Sequence, residues 1–149
     1  MRITFTDQPG SELAQPLAKA LGIQLISPTN ALDPMTATPS DDIVIQRIIE
    51  EIIKNTIEHK QQNGFLLNNY PENVTQAQSL DMALAQAAHP VAASLMIEST
   101  KVLQNRENKA LIRYYRSQNK LILIDEFSSV EDICSKLNSI HAKRRTVNR

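Results

Sequence analysis

GFLLNNYPENVTQAQSLD, residues 64 to 81, carries a strand signal followed directly by a helix signal. Phe65-Leu66-Leu67 is continuously apolar, the pattern of a strand buried on both faces of a parallel sheet. Asn73-Val-Thr-Gln76 then resembles a capping box, with a helix expected from there through Gln86 and a stop at His89-Pro90. The same apolar signature recurs at Ser94–Ile97 and Leu121–Ile124, and Ile3–Phe5 and Gln24–Ser27 add two further strands. Strands that alternate with helical patterns in this way predict a doubly wound α/β domain.

The helices between them are marked by caps and periodicity. Ser40 is a good N-cap, and Asp41 and Asp42 follow where acids favour the helix dipole. Ile45, Ile48, Ile49, Ile52, Ile53 and Ile57 then form a wide apolar stripe, with Gln46, Arg47, Glu50, Glu51, Lys54 and Glu58 on the other side. That stripe predicts a face packed on the sheet. Ser99–Ser117 reads as one helix, and Ser128-Ser-Val-Glu131 as the capping box of the last. Tyr114 and Tyr115 are expected to pack in the core or at its edge.

Composition narrows the function classes. The chain has 149 residues, enough for one domain, taken as 1–142 with a basic tail at 143–149. Its 16 acids balance its 16 bases, and no apolar run is long enough for a membrane span. The N-terminal MRITF lacks the pattern of a secretory signal. Cys134 is the only cysteine, and His59, His89 and His141 have no ligand spacing, so a reducing cytoplasm and no metal site are expected. The tail HAKRRTVNR concentrates Lys143, Arg144, Arg145 and Arg149, a patch suited to an acidic partner. With no aromatic stacking pattern beside it, nucleic acid is not the expected partner.

Gly64–Asp81 is similar to the adenylate kinase segment in which a Gly-Phe-Leu-Leu strand leads into Asp-Gly-Phe/Tyr-Pro-Arg-Thr and a helix with Gln-Ala. Leu13–Ser27 resembles the first helix and second strand of that family, and Ala110–Leu137 its closing helix, last strand and terminal helix. The resemblance implies a P-loop-NTPase-like three-layer sandwich with a five-stranded parallel sheet in the order 2-3-1-4-5.

The same resemblance implies a damaged phosphate site. Pro9-Gly10 corresponds to the upstream edge of the phosphate loop, but the Gly-Lys-Gly centre is missing and no lysine precedes Lys19. Pro16 removes a backbone donor from the first turns of the following helix. Asn68 stands where the family has a magnesium-supporting acid, and Glu72 where it has a phosphate-binding arginine. In the Ser27–Asp33 stretch, an acid again takes an arginine position. The short Asn30–Ser40 stretch leaves no room for the monophosphate-clasping helices, and nothing between Ile97 and Ala110 can form a lid. Gln76 matches a glutamine that helps recognise adenine, and Tyr70-Pro71 the wall of that groove.

The expectation is therefore a catalytically inactive adenylate-kinase-like protein, with no catalytic residues and no cofactor. Asn68, Tyr70, Pro71 and Gln76 would remain, with Pro9 and Gly10, as a vestigial nucleotide groove. Adenine nucleotide binding would be weak or absent. The role would be that of a structural or adaptor subunit, binding an unidentified protein partner or forming a homo-oligomer. A non-catalytic nucleotide-responsive regulator is the alternative, followed by a surviving nucleoside monophosphate kinase.

Overall fold

Ile3, Phe5, Leu66, Leu95 and Ile97 leave almost no surface exposed, because their strands have helices on both sides. The computed structural model describes residues 1–7, 12–27, 41–59, 64–87 and 90–147, and side chains for these except 41–42, 55–59 and 141–147. In chain order the elements are β1 (Arg2–Thr6), α1 (Ala14–Leu21), β2 (Gln24–Ile26), α2 (Asp41–His59), β3 (Phe65–Asn68) and α3 (Val74–Gln86). Then come β4 (Ala93–Glu98), α4 (Thr100–Gln104), α5 (Arg106–Ser117), β5 (Leu121–Asp125) and α6 (Val130–Val147). The strands are all parallel and ordered β2-β3-β1-β4-β5, as the resemblance implied.

Two apolar layers sandwich the sheet. On one face α1 and α6 bring Ala14, Leu17, Ala18, Ile133 and Leu137 onto Ile3, Phe5, Leu95 and Ile122. On the other, α2 and α3 cover β2 and β3 through Val44, Ile45, Ile48, Ile52, Leu80 and Leu84. Beside them α5 seats Leu111 and Tyr115 against Met96 and Ala77. Gly64 sets the start of β3 against the start of β1. Its φ is +118°, and a Cβ there would lie 1.7 Å from the Met1 carbonyl oxygen, which accepts the Phe65 N–H at 3.0 Å. Gly64 is thus required by the backbone beside it.

Several sequence expectations need correction. The helix expected over Ser99–Ser117 is two helices. Asn105 breaks it by adopting extended backbone and accepting the N–H groups of Glu107 (2.9 Å) and Asn108 (3.1 Å) on Oδ1, which caps α5. The last capping box sits one residue later than read: Ser129 Oγ accepts the Asp132 N–H at 3.1 Å, and Asp132 Oδ2 accepts the Ser129 N–H at 3.2 Å. Ile53 is 47% exposed, because α2 lies over β2 at the sheet edge and its apolar stripe is wider than the surface beneath it. Val44 takes a core place instead. The α3 cap is as expected, with the Gln76 N–H donating to Asn73 Oδ1 at 2.8 Å. Ser40, His89 and the Asn30–Ser40 stretch lie outside the described residues.

Candidate functional site

Parallel α/β sheets bind ligands outside the carboxyl ends of their strands, where neighbouring strands send their connections to opposite faces. Here β1 leads to α1 on one face, while its neighbours β3 and β4 lead to α3 and α4–α5 on the other. A crevice of about 440 Å³ opens there, lined by Thr6, Asp7, Asn69, Pro71, Glu72, Lys101, Val102, Asn105, Glu107 and Asn108.

Hydrogen bonds from short polar side chains build its walls. Asn69 adopts the left-handed conformation (φ 56°), which asparagine tolerates, and its N–H donates to the Phe5 carbonyl at 2.7 Å. Its Oδ1 accepts the Asp7 N–H at 3.0 Å, so Asn69 ties the ends of β1 and β3 together. Sequence reasoning missed this clip; the Asn68-Asn69 pair was the only local signal for it. Ser99, buried after β4, caps α4 by accepting the Val102 N–H at 3.3 Å, and Asn108 Nδ2 donates to the Val102 carbonyl at 3.0 Å. Asn105 alone joins α4 to α5, where the resemblance would put a lid.

Acids predominate on this wall. Asp7, Glu72 and Glu107 face a crevice to which Lys101 supplies the cationic side chain. Among the described residues, no three acidic, histidine or cysteine side chains are placed to hold a metal ion. Glu72, where the resemblance implies an arginine, would repel a phosphate oxygen. Its N–H is already engaged, donating to Gln76 Oε1 at 2.7 Å. Gln76 thus closes the opening of α3 through both its side chain and its backbone N–H.

The other expected groove residues are dispersed. Pro71 lines the crevice, joined to Tyr70 by a cis peptide. Tyr70 is 5% exposed and packs with Ile26, Ile48 and Leu80 in the core below. Asn68 lines a separate cavity of about 630 Å³ with Glu12, Gln15, Pro16, Lys19 and Ser27, beside the start of α1. Helix α1 begins there without a side-chain cap and without acid in its first turn. Pro9 and Gly10 lie outside the described residues, as does Arg149. Lys143, Arg144 and Arg145 fall on the α6 backbone, which continues to Val147, with side chains that are not described.

Beneath the crevice, polar groups cross the sheet interface. The Thr4 hydroxyl donates to Ser94 Oγ at 2.8 Å between β1 and β4. Tyr115 is fully buried nearby, and burial, with the Asp81 carboxylate adding to it, pushes its hydroxyl pKa well up. Tyr114 donates to Asp81 Oδ2, linking α5 to α3, and burial followed by that hydrogen bond raises its pKa too. The Cys134 thiol is likewise raised by burial, away from the thiolate form that a nucleophile requires.

The chain is similar to known kinases. The adenylate kinase of Xylella fastidiosa is 30% identical over 123 residues, covering 71% of this chain and 66% of that protein. The adenylate kinase of Flavobacterium johnsoniae is 24% identical over 128 residues, covering 66% of this chain and 65% of that one. This chain is adenylate kinase-like. It spans about two thirds of the length of these relatives. No protein-family model matches it. Among solved structures, a gluconokinase from Sinorhizobium meliloti superimposes with a TM-score of 0.59 at 11% identity, covering 99% of this chain and 95% of that one. At that identity the likeness is one of fold, and it supports a P-loop-NTPase-like architecture for the adenylate kinase-like chain. Among the described residues, no helix is long and apolar enough to cross a membrane.

Proposed function

We propose that this adenylate kinase-like chain is catalytically inactive and acts by binding a protein partner, as a structural or adaptor subunit. One observation carries the reading: Asp7, Glu72 and Glu107 line the crevice at the carboxyl ends of the central strands, with Lys101 opposing them. Phosphoryl transfer depends on positioning and on neutralising the charge of the phosphates. A wall with this charge repels them instead. The sequence adds support, since no lysine precedes Lys19 and Pro16 withholds a donor from the first turn of α1. A cytoplasmic location belongs to the same reading.

The test combines a coupled phosphotransfer assay with thermal unfolding in ATP, AMP and magnesium. No magnesium-dependent turnover and no shift in melting temperature are expected. Turnover above background would overturn the reading. A ligand at 100 times its dissociation constant stabilises a fold by about 2.7 kcal/mol, so binding would be readily visible. A nucleotide-dependent shift without turnover would favour a second reading, a nucleotide-responsive regulator, which the retained crevice volume supports.

The basic run Lys143, Arg144, Arg145 and Arg149 gives an acidic partner a cationic patch. Deletion after Ala142 is expected to abolish capture of such a partner. Unchanged capture would remove the tail from the proposal.

A further inference from the structure

The two outer strands of the sheet are unequal. Strand β2 has 3 residues, short enough to blunt its edge, whereas β5 has 5 and leaves the longer row of outward backbone groups. The Ser94 N–H donates to the Lys120 carbonyl at 2.8 Å, so that carbonyl points inward. Across a trans peptide the next N–H points the opposite way, and the alternation continues along the strand. Leu121, Leu123 and Asp125 therefore turn their backbone groups outward. Two outward carbonyls have internal donors: Lys136 Nζ donates to Leu123 O at 2.7 Å, and the Ser128 N–H to Asp125 O at 3.0 Å. Each carbonyl keeps a second lone pair. The N–H groups of Leu121, Leu123 and Asp125 face no strand.

A groove of about 480 Å³ runs beside this edge, lined by Glu98, Arg116, Asn119, Leu121, Leu123 and Lys136, among others. Its ends differ in charge. Arg116 lies at the amino end of β5, with Lys120 just before the strand. Glu98, Asp125 and Glu126 lie at the carboxyl end, where β4 and β5 pair Glu98 with Asp125. Phe127, just past that end, is 87% exposed.

We propose that this edge pairs with the β5 edge of a second copy of the chain, antiparallel about Leu123, to make one continuous sheet. In that register Leu123 faces its own equivalent and Leu121 faces Asp125 of the other copy. The outward groups then fall into the hydrogen-bonded pairs of an antiparallel ladder. A twofold axis brings the basic end of each strand to the acidic end of the other, so the ends complement each other as an isologous interface requires, while Lys136 of each copy, which lies on the Leu123 carbonyl near the axis, must turn aside toward the acidic ends. An unrelated acidic or basic strand would match one end of the groove and oppose the other. The inference rests on the sheet edge and not on the loss of chemistry, so it can fail or stand independently of the proposed function.

Sedimentation equilibrium on the full chain at micromolar concentration tests it, with a dimer as the expected result. Leu121→Pro deletes an outward N–H that the β4 ladder does not use, and is expected to leave a folded monomer. Arg116→Glu is expected to weaken dimerisation about tenfold or more, since like charges then meet at both symmetric ends. Adding Glu98→Lys to Arg116→Glu is expected to restore it. A wild-type chain that stays monomeric throughout would overturn the proposal. So would a dimer that Arg116→Glu leaves unchanged, which keeps the test decisive even where Leu121→Pro impairs folding.

Discussion

Helices α1 and α3 both follow inner strands of the sheet and both start at the crevice end, but they are held in opposite ways. Helix α3 is closed at its start by Asn73 and Gln76 and tied at its side to α5 through Asp81 and Tyr114. Helix α1 starts from Leu13 with no side-chain cap and is held by Ala14, Leu17 and Ala18 against the α6 layer. Capping consumes backbone donors at α3, and Pro16 removes one at α1. Neither start is therefore a well-stocked anion site, although they arrive at that state by different routes. The difference shows that one helix start in this fold is closed by its own polar side chains, while the other relies on apolar packing alone.

The comparison breaks most sharply at Leu17. It is fully buried, and with no cap to assist α1, Leu17→Ala is expected to cost about 2–5 kcal/mol by denaturant unfolding. A loss under about 1 kcal/mol would show that α1 is held by something other than this packing. The packing of α5 on α3 and β4 responds to pH instead, through the buried Tyr115 beside Ala77 and Met96. The pKa of Tyr115 is raised in the folded state from the ordinary 10.0 by burial first and then by Asp81. Above pH 10 the unfolded chain releases this proton while the folded chain keeps it, so stability present below pH 10 declines as pH rises. One such proton gives a limiting slope of about 1.4 kcal/mol per pH unit. Tyr115→Phe should flatten the alkaline limb of the stability curve, and an unchanged limb would place the titration elsewhere. Asn73→Ala is the next smaller effect, about 1 kcal/mol from the loss of the α3 cap.

Much of this architecture was legible in the sequence because the signals are local. The runs around Leu66, Leu95 and Ile122 are continuously apolar since their strands are covered on both faces. The break at Asn105 escaped notice because good helix formers flank it. Its mark was an asparagine followed by Glu107 in the next turn, a cap signature inside an otherwise uninterrupted pattern. Ser128 and Ser129 are both competent caps, and only the turn geometry after Asp125 selects the second. At the site, Glu72 could be read alone, as an acid where the resemblance implies an arginine. That Asp7 and Glu107 share its crevice depends on the sheet bringing β1, β3 and β4 together, and no spacing along the chain encodes it.

The smallest effect is the most discriminating for the site. The resemblance implies an adenine-recognising glutamine at Gln76, yet its Oε1 accepts the Glu72 N–H and its own N–H donates to Asn73. As a helix-closing residue it should lose only about 0.5 kcal/mol in Gln76→Ala, because the exposed Glu72 N–H can turn to water. Gln76→Glu should keep most of that loss from appearing, since a carboxylate also accepts this N–H and lies near the positive end of α3. A nucleotide contact would behave differently. It would leave the stability of the free protein nearly untouched and abolish a nucleotide-induced melting shift in both variants, because the amide donor is absent from each. Thermal unfolding of the wild type, Gln76→Ala and Gln76→Glu, with and without AMP, separates the two roles. The rank order wild type, Gln76→Glu, Gln76→Ala in the free proteins, with no AMP response in any of them, is what a cap without a ligand requires.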